Sequence, residues 1–152
     1  GPLTNPAQPK YQLFGVFNLE LARMYQYILQ QSEKQFAIVY AMDGYDEVSL
    51  TSPFKLRTHN SEQLIAPADI HKPKYQQEDL YGGGSVESAA KIFMNILENR
   101  GTQAQKDVVA TNAGVAIHCI KPEQSLVDCI AEATESLESG SALEKFKVLM
   151  NS

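Results

Sequence analysis

The sequence lacks the features that place a protein in a membrane or on a nucleic acid. No apolar stretch approaches the roughly 18 residues that a bilayer-spanning helix needs, and no secretory signal pattern is present. Lys and Arg number 13 against 18 Asp and Glu, and the net charge is −5. Nucleic acids and anionic membranes bind clustered basic residues, whereas those here are scattered. We therefore expect no nucleic acid or membrane as a partner, and the cytoplasm as the location.

Cysteine is also scarce. Cys119 and Cys129 stand without a Cys-x-x-Cys motif or Cys/His ligand spacing, which favours free thiols over a disulfide or a metal site. No internal repeat or low-complexity segment interrupts the 152 residues, of which 43% are hydrophobic and 20% charged. That length can bury a sizeable core, so the sequence predicts a single domain over residues 1–152.

The strongest local signal is a strand that runs into a turn and two adjacent carboxylates. Residues 36–40 form a short apolar run rich in β-branched and aromatic side chains, typical of a strand covered on both faces. Asp43 and Gly44 follow as a turn in which Gly44 supplies a positive φ. Asp46 and Glu47 then come at the carboxyl end of the strand, where ligands bind in open α/β sheets. Two hard oxygen ligands there suit Mg²⁺.

Whether both carboxylates can hold one metal depends on the backbone. In a regular strand Asp46 and Glu47 would point to opposite faces, so a shared site requires a bend, which Gly44 allows. Proteins commonly hold Mg²⁺ with one or two carboxylates, while water and substrate phosphate complete the octahedron. The two carboxylates alone would therefore be a weak metal site. On spacing alone, an adjacent Asp-Glu pair in a turn is more often a solvated surface pair.

The rest of the chain alternates strands and helices. Residues 12–17 are predicted as a strand and 19–31 as a helix capped by Asn18, with a right-handed crossover that makes the strands at 12–17 and 36–40 parallel. Short alternating segments predict small strands and a hairpin beside the main sheet, at 48–50, 54–57 and 63–65. The remainder from residue 86 is helical. The predicted fold class is α/β, with a mainly parallel sheet flanked by helices.

Three further features have structural interpretations. Gly82-Gly83-Gly84 precedes a helix, but it lacks the lysine and the preceding strand of a phosphate loop, so a helix-entry turn is favoured over a phosphate cradle. His59, in a turn without a partner carboxylate, is predicted to be solvated. His118, on a buried helix, is predicted to be a hydrogen-bonded core histidine.

Six segments resemble one enzyme family in the same chain order. They are GPLTNPAQP at 1–9, GVFN at 15–18, DGYDEVSLTSP at 43–53, GGG at 82–84, TNA at 111–113 and SGSALEKFKVL at 139–149. Together they resemble the anthranilate phosphoribosyltransferases, which join anthranilate to phosphoribosyl pyrophosphate (PRPP) in tryptophan biosynthesis. The resemblance covers essentially the whole chain. It implies a partial α/β domain of the phosphoribosyltransferase and nucleoside-phosphorylase type, the carboxyl-terminal portion of a larger enzyme.

The resemblance also implies site residues and partners. Asp46 and Glu47 match the family's metal-coordinating pair, which acts through Mg²⁺ on PRPP. Asn5 and Pro6 lie in a segment that borders the anthranilate-binding region, so they are expected on the substrate side, with simple packing as the alternative. The family is expected to form homodimers. Because the family's Gly-rich pyrophosphate loop is not in this chain, the chain alone is expected to be inactive.

Two departures from the family pattern leave alternatives open. Tyr40-Ala41 stands where the family usually has His-Gly, and residues 52–54 read Ser-Pro-Phe where it has Gly-Pro-Thr. One alternative is a relative that acts on another acceptor, as pyrimidine nucleoside phosphorylases do on a similar fold. Another is a non-catalytic binding module that kept the fold, against which the intact Asp46 and Glu47 argue.

Overall fold

The computed structural model describes residue 3 and residues 6–152, which contain a four-stranded sheet, five α-helices and two short 3₁₀ helices at Pro67–Ile70 and Gln77–Leu80. The strands are β1 (Tyr11–Gly15), β2 (Gln35–Ala41), β3 (Phe54–Arg57) and β4 (Glu62–Ile65). The helices are α1 (Leu19–Leu29), α2 (Val86–Leu97), α3 (Gln103–Ile120), α4 (Leu126–Glu138) and α5 (Ser141–Met150). Among the described residues, none of these helices combines the length and apolar character needed to span a bilayer.

The sheet is mixed, with its strands in chain order from β1 to β4. β1 and β2 are parallel and joined through α1, which confirms the predicted β-α-β unit. β2 pairs with β3 and β3 with β4 in antiparallel fashion, so the predicted hairpin forms and extends the main sheet. The α/β class with flanking helices is confirmed. The prediction of a mainly parallel sheet is corrected to a mixed one, because the connections after β2 and β3 contain no crossover helix.

The middle of the sheet is covered on both faces, as the apolar run in β2 predicted. Phe36 and Ile38 join a cluster with residues of β1 and α1. Ala37, Val39 and Ala41 point the other way, into a larger cluster with residues of β3, α3 and α4. All five side chains are at most 2% exposed. β2 is therefore the strand on which both helix layers pack.

The first helix begins as predicted, but only part of its predicted apolar face is covered. The Asn18 Oδ1 accepts a hydrogen bond from the Leu21 N–H at 2.8 Å, which satisfies one of the free donors at the helix start. The spacing of apolar residues predicts a core face of Leu21, Met24, Tyr25 and Ile28. Leu21 and Tyr25 pack against the cluster of β1 and β2, whereas Met24 and Ile28 are 52% and 44% exposed. The predicted face is therefore only half confirmed.

Both cysteines are buried, and two of the histidines, His59 and His118, are hydrogen-bonded to backbone carbonyls. Cys119 and Cys129 are buried free thiols, as predicted, and burial raises the pKa of both, which lowers their reactivity. His118 is hydrogen-bonded, with Nδ1 2.9 Å from the Gln124 carbonyl oxygen. The prediction of a solvated His59 is wrong: Nε2 lies 2.6 Å from the Lys34 carbonyl oxygen, and the ring packs on Phe36.

α3 lies between the sheet and α4, and it approaches α4 closely at Gly114. A Cβ built at Gly114 would lie 2.6 Å from Cγ1 and 2.8 Å from Cα of Ile130. These distances are shorter than van der Waals contact, and the second involves backbone that cannot rotate away. The absence of a side chain at this position allows the close packing of the two helices.

The first prediction concerns this helix contact. In an exposed helix interior, replacing Gly by Ala stabilises a protein by about 1 kcal/mol. At Gly114 we expect the opposite sign, a loss of about 1–3 kcal/mol in the free energy of unfolding, because the added methyl group overpacks the interface with Ile130. Urea denaturation of Gly114→Ala measures this. A stabilised variant would contradict the close approach.

Candidate functional site

The chain turns directly after β2, as Gly44 allows. Residues 42–53 form neither strand nor helix, so the predicted strand over 48–50 is wrong. Gly44 has φ +93°, as predicted. The Gly44 N–H donates to the Ala41 carbonyl at 2.9 Å, and the Ala41 N–H donates to the Tyr45 carbonyl at 3.0 Å. The chain therefore reverses directly after β2, which leaves Asp46 and Glu47 at the carboxyl end of the strand.

Gly15 fixes where the turn lies on the sheet. A Cβ built at Gly15, the last residue of β1, would lie only 1.7 Å from the carbonyl oxygen of Asp46. The Asp46 backbone thus occupies the space that any side chain at residue 15 would fill. Asp46 consequently lies at the carboxyl ends of both parallel strands, β1 and β2.

Asn112 of α3 holds the backbone on the other side of the carboxylate pair. Its Oδ1 accepts a hydrogen bond from the Val48 N–H at 2.9 Å, and its Nδ2 donates to the Val48 carbonyl at 2.8 Å. Nδ2 also donates to the Val108 carbonyl of its own helix at 3.0 Å. Val48 is fully buried. One amide side chain therefore satisfies both polar backbone groups of the residue next to Glu47.

Asp43 ties the two ends of the loop together. Its carboxylate accepts hydrogen bonds from the hydroxyl groups of Ser52, at 2.8 Å, and of Thr51. The Ser49 hydroxyl donates to the same carboxylate at 3.4 Å, and the Asp43 N–H donates to the Ser52 Oγ at 3.3 Å. Asp43 is thus committed to the structure of the loop.

Asp46 and Glu47 differ from Asp43 in their surroundings. Both are exposed, and among the described residues neither carboxylate has a side-chain hydrogen bond or an ion pair. The described part of the chain contains no group of three or more His, Cys, Asp or Glu placed to hold a metal ion. Two carboxylates nevertheless fit Mg²⁺, provided that water and phosphate oxygens supply the other ligands.

Glu47 also borders a pocket that is partly open to solvent. A cavity of about 260 Å³ lies between the loop and the helices α2 and α3. Tyr45, Glu47 and Thr51 line the loop side, and Ile92 and Val109 the helix side. The two carboxylates therefore differ: the Asp46 backbone packs on β1, and Glu47 faces the cavity.

The remaining predicted positions are less informative. Asn5 lies outside the described residues, and Pro6 is exposed in a turn before β1; their substrate-side role stays a prediction. At residues 82–84 the structure shows the predicted helix-entry turn. Gly83 has φ +94°, and Ser85 caps α2 by accepting a hydrogen bond from the Ser88 N–H at 3.2 Å.

A buried ion pair supports the loop from below. The Leu50 carbonyl accepts a hydrogen bond from the Tyr75 N–H at 3.0 Å, and the Tyr75 hydroxyl donates to Asp107 of α3 at 2.6 Å. The Lys72 Nζ lies 2.7 Å from Asp107 Oδ1. Burial pushes the pKa of Asp107 upward, but the hydrogen bonds from Lys72, Tyr75 and Gln103 hold it below its ordinary value. The pKa of Tyr75 is raised, by burial first and then by Asp107.

Sequence reasoning missed three of the residues that hold the pair, namely Gly15, Asp43 and Asn112. Gly15 and Asn112 stand in the GVFN and TNA segments, but no role could be given to them. A usable signal existed for Asn112, because an amide within an otherwise apolar helical stretch must find hydrogen-bond partners when it is buried. For Gly15 the contact depends on tertiary structure, whereas the partners of Asp43 are hydroxyl groups within its own loop.

Comparison with known proteins identifies the family. A family model described as "Glycosyl transferase family, a/b domain" matches residues 1–143. The chain belongs to this glycosyl transferase family. The match to the family's a/b domain agrees with the sheet flanked by helices.

Two relatives of the chain have the same name. Over 147 residues the chain is 54% identical to an anthranilate phosphoribosyltransferase of Cytophaga hutchinsonii and 51% identical to one of Bacteroides thetaiotaomicron. These matches cover 97% of the chain but 45% and 44% of the relatives. The chain thus spans about half the length of these relatives.

Solved structures show the same fold. The anthranilate phosphoribosyltransferase of Thermus thermophilus matches the whole chain with a TM-score of 0.85 at 28% identity, over 46% of its own length. The Saccharomyces cerevisiae enzyme "in complex with PRPP and Mg" gives the same score at 22% identity, with 97% of the chain and 42% of its own length covered. The fold is therefore that of the larger enzymes' corresponding part.

The second prediction tests the contact between β1 and the turn. We expect Gly15→Ala to lower the free energy of unfolding by about 1–3 kcal/mol, because the methyl group collides with the Asp46 carbonyl. Gly82→Ala is the matched control, since a Cβ there meets nothing within 4 Å. Urea denaturation measures the stability, and the NMR shift of the Asp46 amide reports movement of the turn. Equal effects of the two substitutions would contradict the proposed contact.

The third prediction concerns acid. Asp107→Asn should cost about 1–3 kcal/mol near neutral pH, because it leaves the Lys72 charge without its partner. Since folding lowers the pKa of Asp107, its contribution is present above about pH 4 and is lost as the pH falls through the folded value. Urea denaturation from pH 7 to pH 3 should therefore show the difference between wild type and variant shrinking in acid.

The control for this prediction is the exposed pair of Lys147 and Glu144. Glu144→Gln should change stability by less than about 0.5 kcal/mol at any of these pH values, because exposed pairs contribute little. A difference between wild type and Asp107→Asn that stayed constant with pH would show that the ionised carboxylate is not the stabilising form.

Proposed function

We propose that this chain supplies the Mg²⁺-binding part of an anthranilate phosphoribosyltransferase, as the carboxyl-terminal portion of such an enzyme. The reaction transfers the phosphoribosyl group of PRPP to anthranilate and releases pyrophosphate, in tryptophan biosynthesis. The observation that carries the proposal is the bent turn, which presents Asp46 and Glu47 without protein partners at the carboxyl ends of β1 and β2.

The comparisons support the proposal without extending to this chain's own ligands. The relatives at 54% and 51% identity are named for this activity. The yeast enzyme of the same fold was solved in complex with PRPP and Mg, and in a separate structure with 4-fluoroanthranilate. These names agree with the ligands that two free carboxylates beside the sheet would serve.

In the reaction the amino nitrogen of anthranilate bonds to C1 of the ribose, the bond from C1 to the pyrophosphate oxygen breaks, and the amino group loses a proton. Mg²⁺, when bound, neutralises the negative charge that develops on the leaving pyrophosphate. Asp46 and Glu47 would hold the metal. Gly15, Asp43 and Asn112 would keep these carboxylates in place before the ligand arrives, and such preorganisation is a main source of catalytic power.

The proposal assigns the remaining parts of the site to sequence that this chain does not span. Because the chain covers about 45% of its relatives, the pyrophosphate loop and most anthranilate contacts would come from the other half, with Asn5 and Pro6 as the substrate-side residues proposed for this chain. We therefore propose that the chain alone does not turn over substrate. A cytoplasmic location, homodimers of the complete enzyme and the absence of nucleic-acid or membrane partners remain expectations.

The fourth prediction tests the metal pair by calorimetric titration of PRPP into the chain, with Mg²⁺ and with EDTA. We expect binding only with Mg²⁺. The double substitution Asp46→Asn with Glu47→Gln should weaken it at least tenfold, about 1.4 kcal/mol. Glu135→Gln with Glu138→Gln, which removes the same charge from the exposed side of α4, should leave the affinity unchanged.

A second arm covers weak binding by the chain alone. The same titration is run on this chain joined to the amino-terminal part of the Cytophaga hutchinsonii relative, which supplies the half that the chain does not span. Metal-dependent binding that survives in the double variant of the joined protein would contradict the assignment of Asp46 and Glu47. Turnover by the 152-residue chain alone would contradict the division of the site between two halves.

A further inference from the structure

The backbone next to the carboxylate pair is held by a side chain from a distant helix. Asn112 of α3 bonds both the N–H and the carbonyl of Val48, at 2.9 and 2.8 Å, across a sequence separation of 64 residues. An amide side chain offers one acceptor and one donor side by side, as a neighbouring strand would. Asn112 therefore replaces a strand partner for a single residue of an irregular loop.

The surroundings of this contact leave little freedom. Val48 is 0% exposed, so water cannot replace the amide as a partner. The third hydrogen bond, from Asn112 Nδ2 to the Val108 carbonyl, fixes the side-chain amide against its own helix. The position of Val48 is thus set by α3, which is itself packed between the sheet and α4.

The consequence concerns Glu47. Its carboxylate has no side-chain partner among the described residues, so the contacts that place Glu47 are those of the backbone on either side of it. On one side, the Asp46 carbonyl rests on Gly15. On the other side, Val48 is fixed by Asn112.

We infer that Asn112 is a positioning residue for Asp46 and Glu47: it fixes the backbone after the pair, and with it the place from which the two proposed metal-binding side chains extend. This inference rests on the proposed function for its meaning, but the hold on Val48 can be tested without any ligand. Asn112 itself touches no reacting group.

The test uses the 152-residue chain and the variant Asn112→Ala. The first measurement is the hydrogen exchange of the Val48 amide, which should become at least about tenfold faster, as expected when the partner of a buried N–H is removed. The amide of Cys129, which donates to the Ser125 carbonyl in α4, should keep its protection and so show that the fold is intact. Asn95→Ala, at a half-buried asparagine of α2, is the matched control.

A second variant guards against loss of the fold. Asn112→Asp keeps the side-chain volume and the acceptor for the Val48 N–H, but it replaces the donor to the Val48 carbonyl with an oxygen. We expect exchange of the Val48 amide between those of wild type and Asn112→Ala. The second measurement is the Mg²⁺-dependent affinity for PRPP, which should fall at least about tenfold in Asn112→Ala and stay unchanged in Asn95→Ala.

Each outcome decides a separate point. An unchanged Val48 exchange rate in Asn112→Ala would overturn the inference, and so would faster exchange with unchanged Mg²⁺-dependent affinity, since Asn112 would then be purely structural. If the wild-type chain shows no metal-dependent binding, the proposed function fails for this chain alone, and the exchange measurement still decides whether Asn112 fixes the turn.

Discussion

The small side chains of β2 on the α3 side determine how the rest of the structure can be arranged. Ala37 and Ala41 are 0% exposed and face the cluster that contains Val115 and Cys119 of α3. With no bulk between them, the helix lies so close to the sheet that the Cys119 sulfur is 3.6 Å from the Gln12 carbonyl oxygen. This close approach brings the side chain of Asn112 within hydrogen-bonding distance of the loop after β2. Larger residues at 37 and 41 would move α3 outward and break that contact.

The three carboxylates of the loop after β2 differ in the hydrogen bonds that they accept. Asp43 is surrounded by hydroxyl donors from Ser49, Thr51 and Ser52 and has its hydrogen-bonding capacity used within the loop. Asp46 and Glu47 lie only a few residues away but accept no side-chain hydrogen bonds from the described residues. Neutral hydroxyl groups satisfy Asp43 without bringing a cation near the other two. Hydrogen bonds of Asp43 therefore tie the loop together, while Asp46 and Glu47 keep no side-chain partner among the described residues.

Local signals predicted the elements that depend on local physics. The buried strand at β2, the positive φ of Gly44, the cap at Asn18 and the hairpin of β3 and β4 follow from side-chain pattern and turn chemistry. The strand predicted over 48–50 fails because its backbone bonds go to Asn112 and Tyr75, far away in sequence. Leu50 also has a positive φ of 59°, which cannot be predicted from its residue type because leucine rarely adopts this conformation. The sheet is mixed rather than mainly parallel because strand direction depends on the connections between strands, and apolar runs do not predict those connections.

The candidate site divides in the same way. The family resemblance and the turn at Asp43 and Gly44 together pointed to Asp46 and Glu47 as candidates, because the pair and its turn are adjacent in the sequence. The residues that hold them could not be located, because Gly15 and Asn112 act through contacts that only the folded sheet and helix create.

Charge gives a physical reason why a metal would be needed under the proposed function. The chain carries a net charge of −5, and PRPP is itself a polyanion. Two free carboxylates at the carboxyl ends of β1 and β2 would repel the pyrophosphate group if nothing lay between them. A divalent cation bridging the carboxylates and the phosphates turns that repulsion into attraction, and the carboxylates must then be held at a fixed position for the bridge to form in one geometry. The backbone contacts of Gly15 and Asn112 provide this fixed position without placing any competing positive charge beside the metal.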